Sequence, residues 1–337
     1  MLKNKLFIGA WIAAALTLGS GLAAAQPLEI RIQWSVTPPH ITPLIPHAPK
    51  GVYRHWGKSY VVKPIRMRGS GPALQAVAAG EIEFGGMSAQ ALTLGVKRAR
   101  LDLRVIAQVM SGGVDGYATS EYHVRKDDVT TVKGLKGKTV AVNALGGTVD
   151  AGIRAHLGRA GLKAGRDFQI VEVRFSAMLP ALVSKKIDLA LLVTPFNLIA
   201  HRKGKTKTLF TMRDALGPTE TLQWIGKADF IKKNRAALVD FLEDNMRFRR
   251  WLYNPANRQA AAEIISKVTK RPAKNYASWV FTNKDNYRDP NAMTNIPRMQ
   301  RNIEDLHKLG VLPMTLDAAK YVDMSLAEEA AKRLKGM

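Results

Sequence analysis

The sequence predicts a two-lobed α/β protein in which each lobe is a mostly parallel β-sheet flanked by helices. Three observations predict this fold. Short strand-like segments alternate with helical segments over the first two thirds of the chain, one piece of this alternation occurs twice, and the last third is helical. With 337 residues and 46% hydrophobic content, the chain is large enough for two lobes that each bury a core.

The first α/β series begins after residue 27. Strands are predicted at LEIRIQWS, YVVKPIRM, EIEFGGM and LRVIAQVM, which are rich in β-branched and apolar residues and are bounded by turns. Helices are predicted between them at GPALQAVAAG and SAQALTLGVKRA. Strands that alternate with helices in such short units indicate a mostly parallel sheet.

A second α/β series follows a break rich in glycine and aromatic residues, SGGVDGYATSEYHVRKDDV. Its predicted strands are GKTVAVNA, DFQIVEVRF, IDLALLVTP and KTKTLFT, and its predicted helices are GTVDAGIRAHLGRAGL and SAMLPALVSKK. From Lys227 onward, the spacing of apolar residues predicts helices almost to the end of the chain.

One segment of the first series is repeated in the second. Aligning AVAAGEIEFG with ALVSKKIDLA pairs Ile82 with Ile187, and a one-residue slip places Arg68 and Ser70 opposite Arg174 and Ser176. Each half therefore carries the same part of an α/β lobe. Two such lobes are expected to enclose a cleft that is lined by the turns following the strands.

The first 25 residues have the three-part pattern of a cleavable secretory signal peptide. Lys3 and Lys5 precede the apolar run LFIGAWIAAALTLG, and small residues follow at Ala23 and Ala25. The run is short for a bilayer span, so a retained membrane anchor is the weaker interpretation. The chain contains no cysteine, so the exported protein is expected to depend on its hydrophobic core, and a periplasmic location fits best.

The chain is strongly basic, with a formal net charge of +24 that removal of Lys3 and Lys5 would lower to +22. Such a charge favours anionic partners. An exported protein seldom meets nucleic acid, so most of the charge is interpreted as solvated surface that biases the protein toward anionic solutes, with attraction to the acidic outer-membrane face as the alternative. The chain lacks a G-x-S-x-G motif, and His40, His47 and His55 lack the close spacing of a zinc site, so no catalytic residue, metal or cofactor is predicted.

Three stretches carry a family resemblance: GSGPALQAVAAGEIEFGGMSAQAL, TVKGLKGKTVAVNALGGTVDAGIRAHLGRAGL and ALVSKKIDLALLVTPF. They resemble the periplasmic solute-binding components of ABC importers, in the subgroup that binds sulfonates, nitrate, taurine and thiamine precursors. The resemblance covers roughly residues 28–200, and LKGKTVAVN is its most specific part. Enzymes of this subgroup that make a pyrimidine use a cysteine-rich motif, which this chain lacks, so that activity is not implied.

The resemblance implies a type II periplasmic binding fold with two crossing strands as its hinge, near residues 115–121 and 213–226. One lobe would comprise residues 26–116 and 224–337, and the other would comprise residues 117–223. It also implies a monomer that closes on its solute and then docks on an ABC permease in the inner membrane.

Two glycine-containing turns, at residues 68–72 and 145–150, each join a predicted strand to a predicted helix. Unpaired backbone N–H groups at a helix start, with the positive end of the helix dipole, bind anions without a charged side chain. The predicted anion-binding residues of these turns are Ser70, Gly71, Gly147 and Thr148. Plain helix capping is the alternative, since such turns favour Ser, Thr and Gly in any case.

Other candidate residues lie at strand ends. The guanidinium groups of Arg68 and Arg174 would clamp a carboxylate or sulfonate, with a solvated surface position as the alternative. Aromatic rings would enclose the apolar part of a solute, with core packing as the alternative, at Trp34, Tyr117, Phe175 and Phe196. Polar groups would donate hydrogen bonds, with local turn chemistry as the alternative, at Ser88, Gln90, Asn143, Ser176 and Thr194.

The resulting hypothesis is a periplasmic receptor that captures a small sulfonate- or carboxylate-like anion and delivers it to a permease, without catalysis. A sensory protein that feeds a membrane receptor is one alternative. An exported enzyme of the same fold is another, and it would need an acid–base or metal constellation in the cleft.

Overall fold

The computed structural model describes residues 26–335, so the predicted signal peptide at residues 1–25 lies outside the described range. The strands within this range are β1 (Leu28–Trp34), β2 (Tyr60–Arg66), β3 (Gly85–Met87), β4 (Leu103–Gly112), β5 (Glu121–Arg125), β6 (Thr139–Val142), β7 (Gln169–Glu172), β8 (Leu189–Leu192), β9 (Thr206–Thr211) and β10 (Thr219–Lys227).

The α-helices of the same range are α1 (Ser70–Ala79), α2 (Ala89–Lys97), α3 (Thr148–Arg159), α4 (Phe175–Val183), α5 (Phe196–Lys203), α6 (Met212–Leu216), α7 (Ala228–Lys233), α8 (Arg235–Tyr253), α9 (Arg258–Thr269), α10 (Ile296–Lys308) and α11 (Ser325–Lys335). None of these helices combines the length and the apolar character that a membrane crossing requires.

The strands form two sheets. In the first, the order is β2-β1-β3-β10-β4, where a parallel bridge between Ile32 and Phe84 joins the pair β1-β2 to β3. β10 runs antiparallel to both of its neighbours, and the other four strands share one direction. In the second sheet, the order is β7-β6-β8-β5-β9, and β5 is the antiparallel strand.

The chain crosses between the sheets twice, through residues 113–120 and through residues 212–218. In each sheet, the antiparallel strand is therefore the first strand after the chain has crossed from the other lobe. Because β10 begins at Thr219, the first sheet includes residues 219–223, which the sequence analysis placed in the other lobe. The exact lobe boundaries stay a prediction.

Several elements depart from the sequence-based expectation. The residue patterns did not predict α5, α6 or β10, although the resemblance implied a crossing strand near residues 213–226. β5 lies in the segment that the sequence analysis interpreted as an irregular break. Its Glu, His and Arg residues interrupt the alternation of apolar and polar residues that is typical of a strand.

Residues 276–295, expected to be helical, contain no helix; they form turns, irregular segments and one isolated β-bridge, from Tyr287 to Ser111. Two buried charged groups of that segment, Asp285 and Arg288, pair with each other. Arg288 also contacts the distant Pro38 and Pro39.

Each lobe has its own hydrophobic core. The core of the first lobe packs Phe84 and Trp224 of the sheet against Phe241 of α8 and Ala327 of α11. The second lobe buries Tyr122 against Phe210, whose rings stack with centroids 4.4 Å apart. A third cluster joins the lobes, because alanines of α3 pack against residues of α1, α2 and α10.

Arg288 anchors the loop that follows β1. Its guanidinium is fully buried, pairs with Asp285 at 3.1 Å and donates to the carbonyl oxygens of Pro38 and Pro39 at 2.9 and 3.0 Å. Burial opposes the charge of this group, but Asp285 and Tyr253 outweigh burial and raise the pKa of Arg288. The loop at residues 36–40 is therefore fixed by a cation from the C-terminal third of the chain.

We expect Arg288→Met to lower the free energy of unfolding by about 3–5 kcal/mol, because it leaves Asp285 buried without its partner. Urea unfolding followed by circular dichroism measures the loss. Arg166→Ala is the control, since the ion pair of Arg166 with Asp167 lies at the surface and should contribute little. Equal stability of the Arg288→Met variant and the wild-type protein would contradict the anchoring role.

Candidate functional site

A cleft lies between the carboxyl ends of the parallel strands of the two sheets. The loops after β1, β2 and β3 border it from the first lobe, and the loops after β6 and β8 border it from the second. Ligand sites of open α/β sheets occur at this edge, because loops and helix starts converge there. The cleft contains two adjoining pockets.

The inner pocket has a volume of about 70 Å³, room for roughly five to seven water-sized groups. Its lining includes hydroxyl, amide and imidazole groups together with apolar side chains. The lining residues are Ser35, Val36, Pro39, His40, Gly69, Ser70, Gly86, Met110, Gly112, Thr119, Ser120, Asn143, Gly147, Thr148, Val149, Phe175, Leu191, Val193, Met212, Thr221, Leu222 and Asn286. Within residues 26–335, this lining contains no Arg, Lys, Asp or Glu.

The outer pocket has a volume of about 180 Å³ and is positively charged. Its lining residues are Ser35, Val36, Arg66, Met67, Arg68, Asn143, Arg174, Phe175, Ser176 and Phe196. Four of these residues also line the inner pocket, so the two pockets are continuous. The cleft therefore combines a neutral interior with a cationic mouth.

The three arginines of the outer pocket differ in their partners. Arg68 pairs with Glu172 of the second lobe at 3.4 Å, and the guanidinium of Arg66 lies 5.3 Å from the ring centre of Trp34. Arg174 is exposed, and among the described residues no carboxylate oxygen lies within 4 Å of it. In the described part of the chain, Arg174 is thus the one arginine of the mouth with neither a carboxylate nor an aromatic ring as partner, which makes it the most available to an anion.

Two helices begin at the inner pocket. Ser70 is the first residue of α1 in the first lobe, and Thr148 is the first residue of α3 in the second. The residues before them, Gly69 and Gly147, provide no side-chain cap, so backbone N–H groups at both helix starts remain for another acceptor. Helix dipoles of the two lobes place partial positive charge at one pocket.

His40 lies in the wall of the inner pocket and is buried. Its Nδ1 atom is buried and has no hydrogen-bond partner among the described residues. Burial, and then the nearby charge of Arg288, lower the pKa of His40 to about 3, so the imidazole is neutral at neutral pH. The Oγ1 atom of Thr119, which also lines the pocket, is likewise buried without a hydrogen-bond partner in the described part of the chain. Both atoms can bind a polar group of a solute.

Polar contacts cross the cleft. The side-chain amide of Asn143 donates to the carbonyl oxygen of Arg68 at 2.6 Å, and Thr148 Oγ1 donates to the carbonyl oxygen of Thr221 at 3.1 Å. Together with the pair of Arg68 and Glu172, they tie the two lobes at the cleft. The structure therefore has its lobes in contact around the pockets.

The structure brings most of the sequence-predicted site residues together in the cleft. Those in the inner pocket are Ser70, Asn143, Gly147, Thr148 and Phe175, and those in the outer pocket alone are Arg68, Arg174, Ser176 and Phe196. Trp34 lines a neighbouring pocket with Arg66, Phe196 and Arg271 instead. Their binding of a solute stays a prediction.

The other predicted residues do not line these pockets. Ser88 caps α2 by accepting a hydrogen bond from the Ala91 backbone at 3.3 Å, which is the capping role considered above. Gln90 is buried within α2, and Thr194 is buried in the loop after β8. Tyr117 packs edge-on against Tyr287 in the first crossing, with ring centroids 5.1 Å apart. Gly71 lies against the backbone of the second lobe rather than in the pockets.

Sequence reasoning missed several pocket residues. His40 was considered as a possible zinc ligand and set aside, whereas it is buried in the pocket wall; its position in the loop that follows β1 was the available signal. Asn286 comes from the C-terminal third, where no motif pointed to the cleft. Thr119 and Thr221 border the two crossings, and no periodic pattern marks such positions.

Comparisons with known proteins agree with this architecture. A model of the NMT1-like family matches residues 25–266. The periplasmic nitrate-binding protein NrtA from Synechocystis PCC 6803 has a similar structure, with a TM-score of 0.71, 18% identity and coverage of 92% of this chain and 90% of that one. No curated protein matches the chain in sequence.

Two further solved structures extend the comparison. The alkanesulfonate-binding protein SsuA from Xanthomonas axonopodis pv. citri, bound to MOPS, gives a TM-score of 0.68 at 15% identity, with coverage of 89% of this chain and 100% of that one. The desulfurization enzyme DszB gives 0.61 at 11% identity, covering 91% and 99%. The predicted resemblance and the two-lobed type II fold are confirmed.

We expect the stability of the protein to depend on pH through His40. Its pKa is about 3 in the folded state against 6.5 ordinarily, so the unfolded chain binds more protons between these values. The contribution of neutral His40 is complete above pH 6.5 and is lost as the pH falls toward 3. Between these pH values, the free energy of unfolding changes by up to about 1.4 kcal/mol per pH unit because of His40.

Urea unfolding of the wild-type protein and of His40→Gln, from about pH 4 to pH 8, measures this contribution. The wild-type protein should lose stability more steeply on acidification than the variant, whose side chain does not titrate. Parallel curves would mean that His40 is accessible to protons in the folded state.

Proposed function

Because this chain belongs to the NMT1-like family, we propose that it is the solute-binding component of an ABC importer. It captures a small organic anion between its two lobes in the periplasm and delivers it to a permease in the inner membrane. The secretory signal pattern of residues 1–25 supports the location. The observation that most directly supports binding of a small anion is the cleft, in which a neutral inner pocket opens into a mouth with three arginines.

The inner pocket favours an organic solute. Met110, Phe175, Leu191 and Leu222 contribute apolar surface that a bare inorganic ion would leave unused. Serine, threonine and asparagine groups supply the few polar contacts that orient a ligand. A solute with a short apolar body therefore matches this pocket better than nitrate does.

The mouth and the helix starts favour an anion. Arg174 has the geometry to bind a carboxylate or a sulfonate through two parallel hydrogen bonds. The starts of α1 and α3 add partial positive charge without a charged side chain inside the pocket. The proposed solute class is accordingly a sulfonate or carboxylate with an aliphatic or small aromatic body.

Lobe closure is the proposed binding motion. The chain crosses between the lobes through residues 113–120 and 212–218, which would act as the hinge. A Cβ atom at Gly71 would lie 2.6 Å from the carbonyl oxygen of Leu145, and one at Gly69 would lie 2.6 Å from Nδ2 of Asn143. Glycine at these positions thus permits the two backbones to meet when the cleft shuts.

Two alternatives use the same cleft. A sensory protein would pass its closed form to a membrane receptor, and pull-down with candidate permease or receptor domains would separate the two partners. An enzyme of this fold would convert the solute, as the likeness to a desulfurization enzyme illustrates, and turnover by the purified protein would favour it. Binding without turnover is the expected result.

We expect a panel of sulfonates and carboxylates to raise the Tm, with nitrate, neutral pyrimidines and cations giving smaller shifts. For the best solute, Arg174→Ala should weaken binding about 10- to 100-fold in isothermal titration calorimetry, because one charge-assisted contact is lost. The control is Arg166→Ala, which removes an arginine paired with Asp167 at the surface. Stabilisation by cations alone, or equal affinities of the Arg174→Ala variant and the wild-type protein, would contradict the anion assignment.

We expect Gly71→Ala to weaken solute binding at least about tenfold while the protein stays folded, because the new methyl group obstructs only the closed form. Small-angle scattering with solute should show a more open molecule than the wild-type protein. Gly158→Ala is the matched control: it lies in α3 with no atom within 4 Å of its Cβ position, so it should add about 0.5–1 kcal/mol of stability and leave the affinity unchanged. A Gly71→Ala variant that is as compact as the wild-type protein in the presence of solute, and binds the solute as tightly, would refute this account of closure.

A further inference from the structure

A cluster of two histidines and a glutamate lies in the second lobe, outside the pockets described above. Glu121 and His123 are two residues apart on β5, so their side chains share one face of the strand. His201 projects toward them from α5. The Nε2 atoms of His123 and His201 lie 2.9 and 2.7 Å from the same oxygen, Oε2 of Glu121.

Three polar atoms crowd around this one carboxylate oxygen. The hydroxyl of Thr208 also donates to Oε2, at 2.6 Å, so three donors converge on an atom with two lone pairs. A cation at this point relieves the crowding. Both imidazoles would then offer lone pairs to the ion, with no need to place two N–H groups on one oxygen.

The cluster has the outer hydrogen bonds that metal ligands require. Nδ1 of His123 lies 3.1 Å from the hydroxyl of Thr206, which fixes the ring orientation and leaves Nε2 for a metal. The side-chain amide of Asn197 donates to the second oxygen of Glu121 at 2.9 Å, which holds the carboxylate plane. His123 is fully buried and Glu121 is largely buried, whereas His201 is half exposed. Two of the three ligands, His123 and Glu121, are thus held in place by hydrogen bonds, and the third, His201, is open to solvent.

The geometry points to a Zn²⁺ site formed by Glu121, His123 and His201, with water as the fourth ligand. Two histidines and one glutamate are a ligand set that Zn²⁺ uses in proteins, with bonds of about 2.0–2.2 Å. Tetrahedral coordination at that length separates ligand atoms by about 3.3 Å, so each nitrogen would move away from Oε2 by about half an ångström, and the three ligand atoms already lie within 4.8 Å of one another. Small side-chain rotations provide this movement.

The ion would tie α5 to the sheet of the second lobe. β5 carries two of its ligands, β9 carries the threonines that support them, and α5 carries the third ligand. The first residue of α5, Phe196, lines the outer pocket. The metal site would therefore stabilise one wall of the cleft, whichever solute the cleft accepts.

The test uses the untagged full-length protein, freed of metal with a chelator. Zn²⁺ titration by calorimetry should give one ion per chain and a higher Tm, and Co²⁺ should produce the visible absorption bands of a four- or five-coordinate site. His201→Ala removes the exposed ligand with little effect on the fold and should weaken Zn²⁺ binding by more than about 100-fold, beyond the effect of losing an outer hydrogen bond. The control is His47→Ala, an exposed histidine outside the cluster, with unchanged binding expected.

Thr206→Val provides a second test, because it removes only the hydrogen bond to Nδ1 of His123. We expect it to weaken Zn²⁺ binding about 10- to 100-fold. Absence of a Zn²⁺-dependent Tm shift in the wild-type protein would overturn the proposal and leave the cluster as a hydrogen-bond network. The same holds if His201→Ala and His47→Ala bind Zn²⁺ equally well.

Discussion

The chain passes twice between its two sheets, and the rest of the molecule depends on this constraint. Each crossing delivers one antiparallel strand, β5 or β10, into a sheet whose other four strands are parallel. The carboxyl ends of the parallel strands are thereby directed to one cleft. Turns and helix starts must occur at these ends, so backbone N–H groups of both lobes gather at the same place.

Charge is distributed so that the interior of the cleft stays neutral. The protein carries 51 basic residues, yet the inner pocket presents hydroxyls, amides and a neutral imidazole. The arginines of the mouth are exposed, whereas the buried Arg288 of the first lobe pairs with Asp285 and donates to the carbonyl oxygens of Pro38 and Pro39. The net charge can therefore attract an anion from a distance, and the dipoles of the helix starts can hold it inside the pocket. Dipoles are suited to this role because a cationic side chain buried there without a partner would be far more costly.

The contacts between the two lobes are made mainly by small residues and single hydrogen bonds. Alanines of α3, glycines at the start of α1 and a few polar bonds across the cleft hold the lobes together, and none of these contacts is a large buried ion pair. The two lobes otherwise have separate cores. An interface of small residues and single hydrogen bonds is suited to opening and closing. A rigid hydrophobic interface between the lobes would instead hold the cleft in one state.

The sequence by itself determined the fold class, eight of the ten described strands and the helices α1 to α4, because alternation of apolar residues and turn residues is local information. It also identified the starts of α1 and α3 and two of the three arginines of the mouth, Arg68 and Arg174, since these residues lie in turns that follow strands; Arg66, the last residue of β2, was not predicted. Only the tertiary structure decided that His40 is buried and neutral, that Asn286 reaches the cleft, and that His201 meets Glu121. These properties arise from contacts between segments far apart in the chain, and burial or proximity of that kind leaves no periodic signal in the sequence.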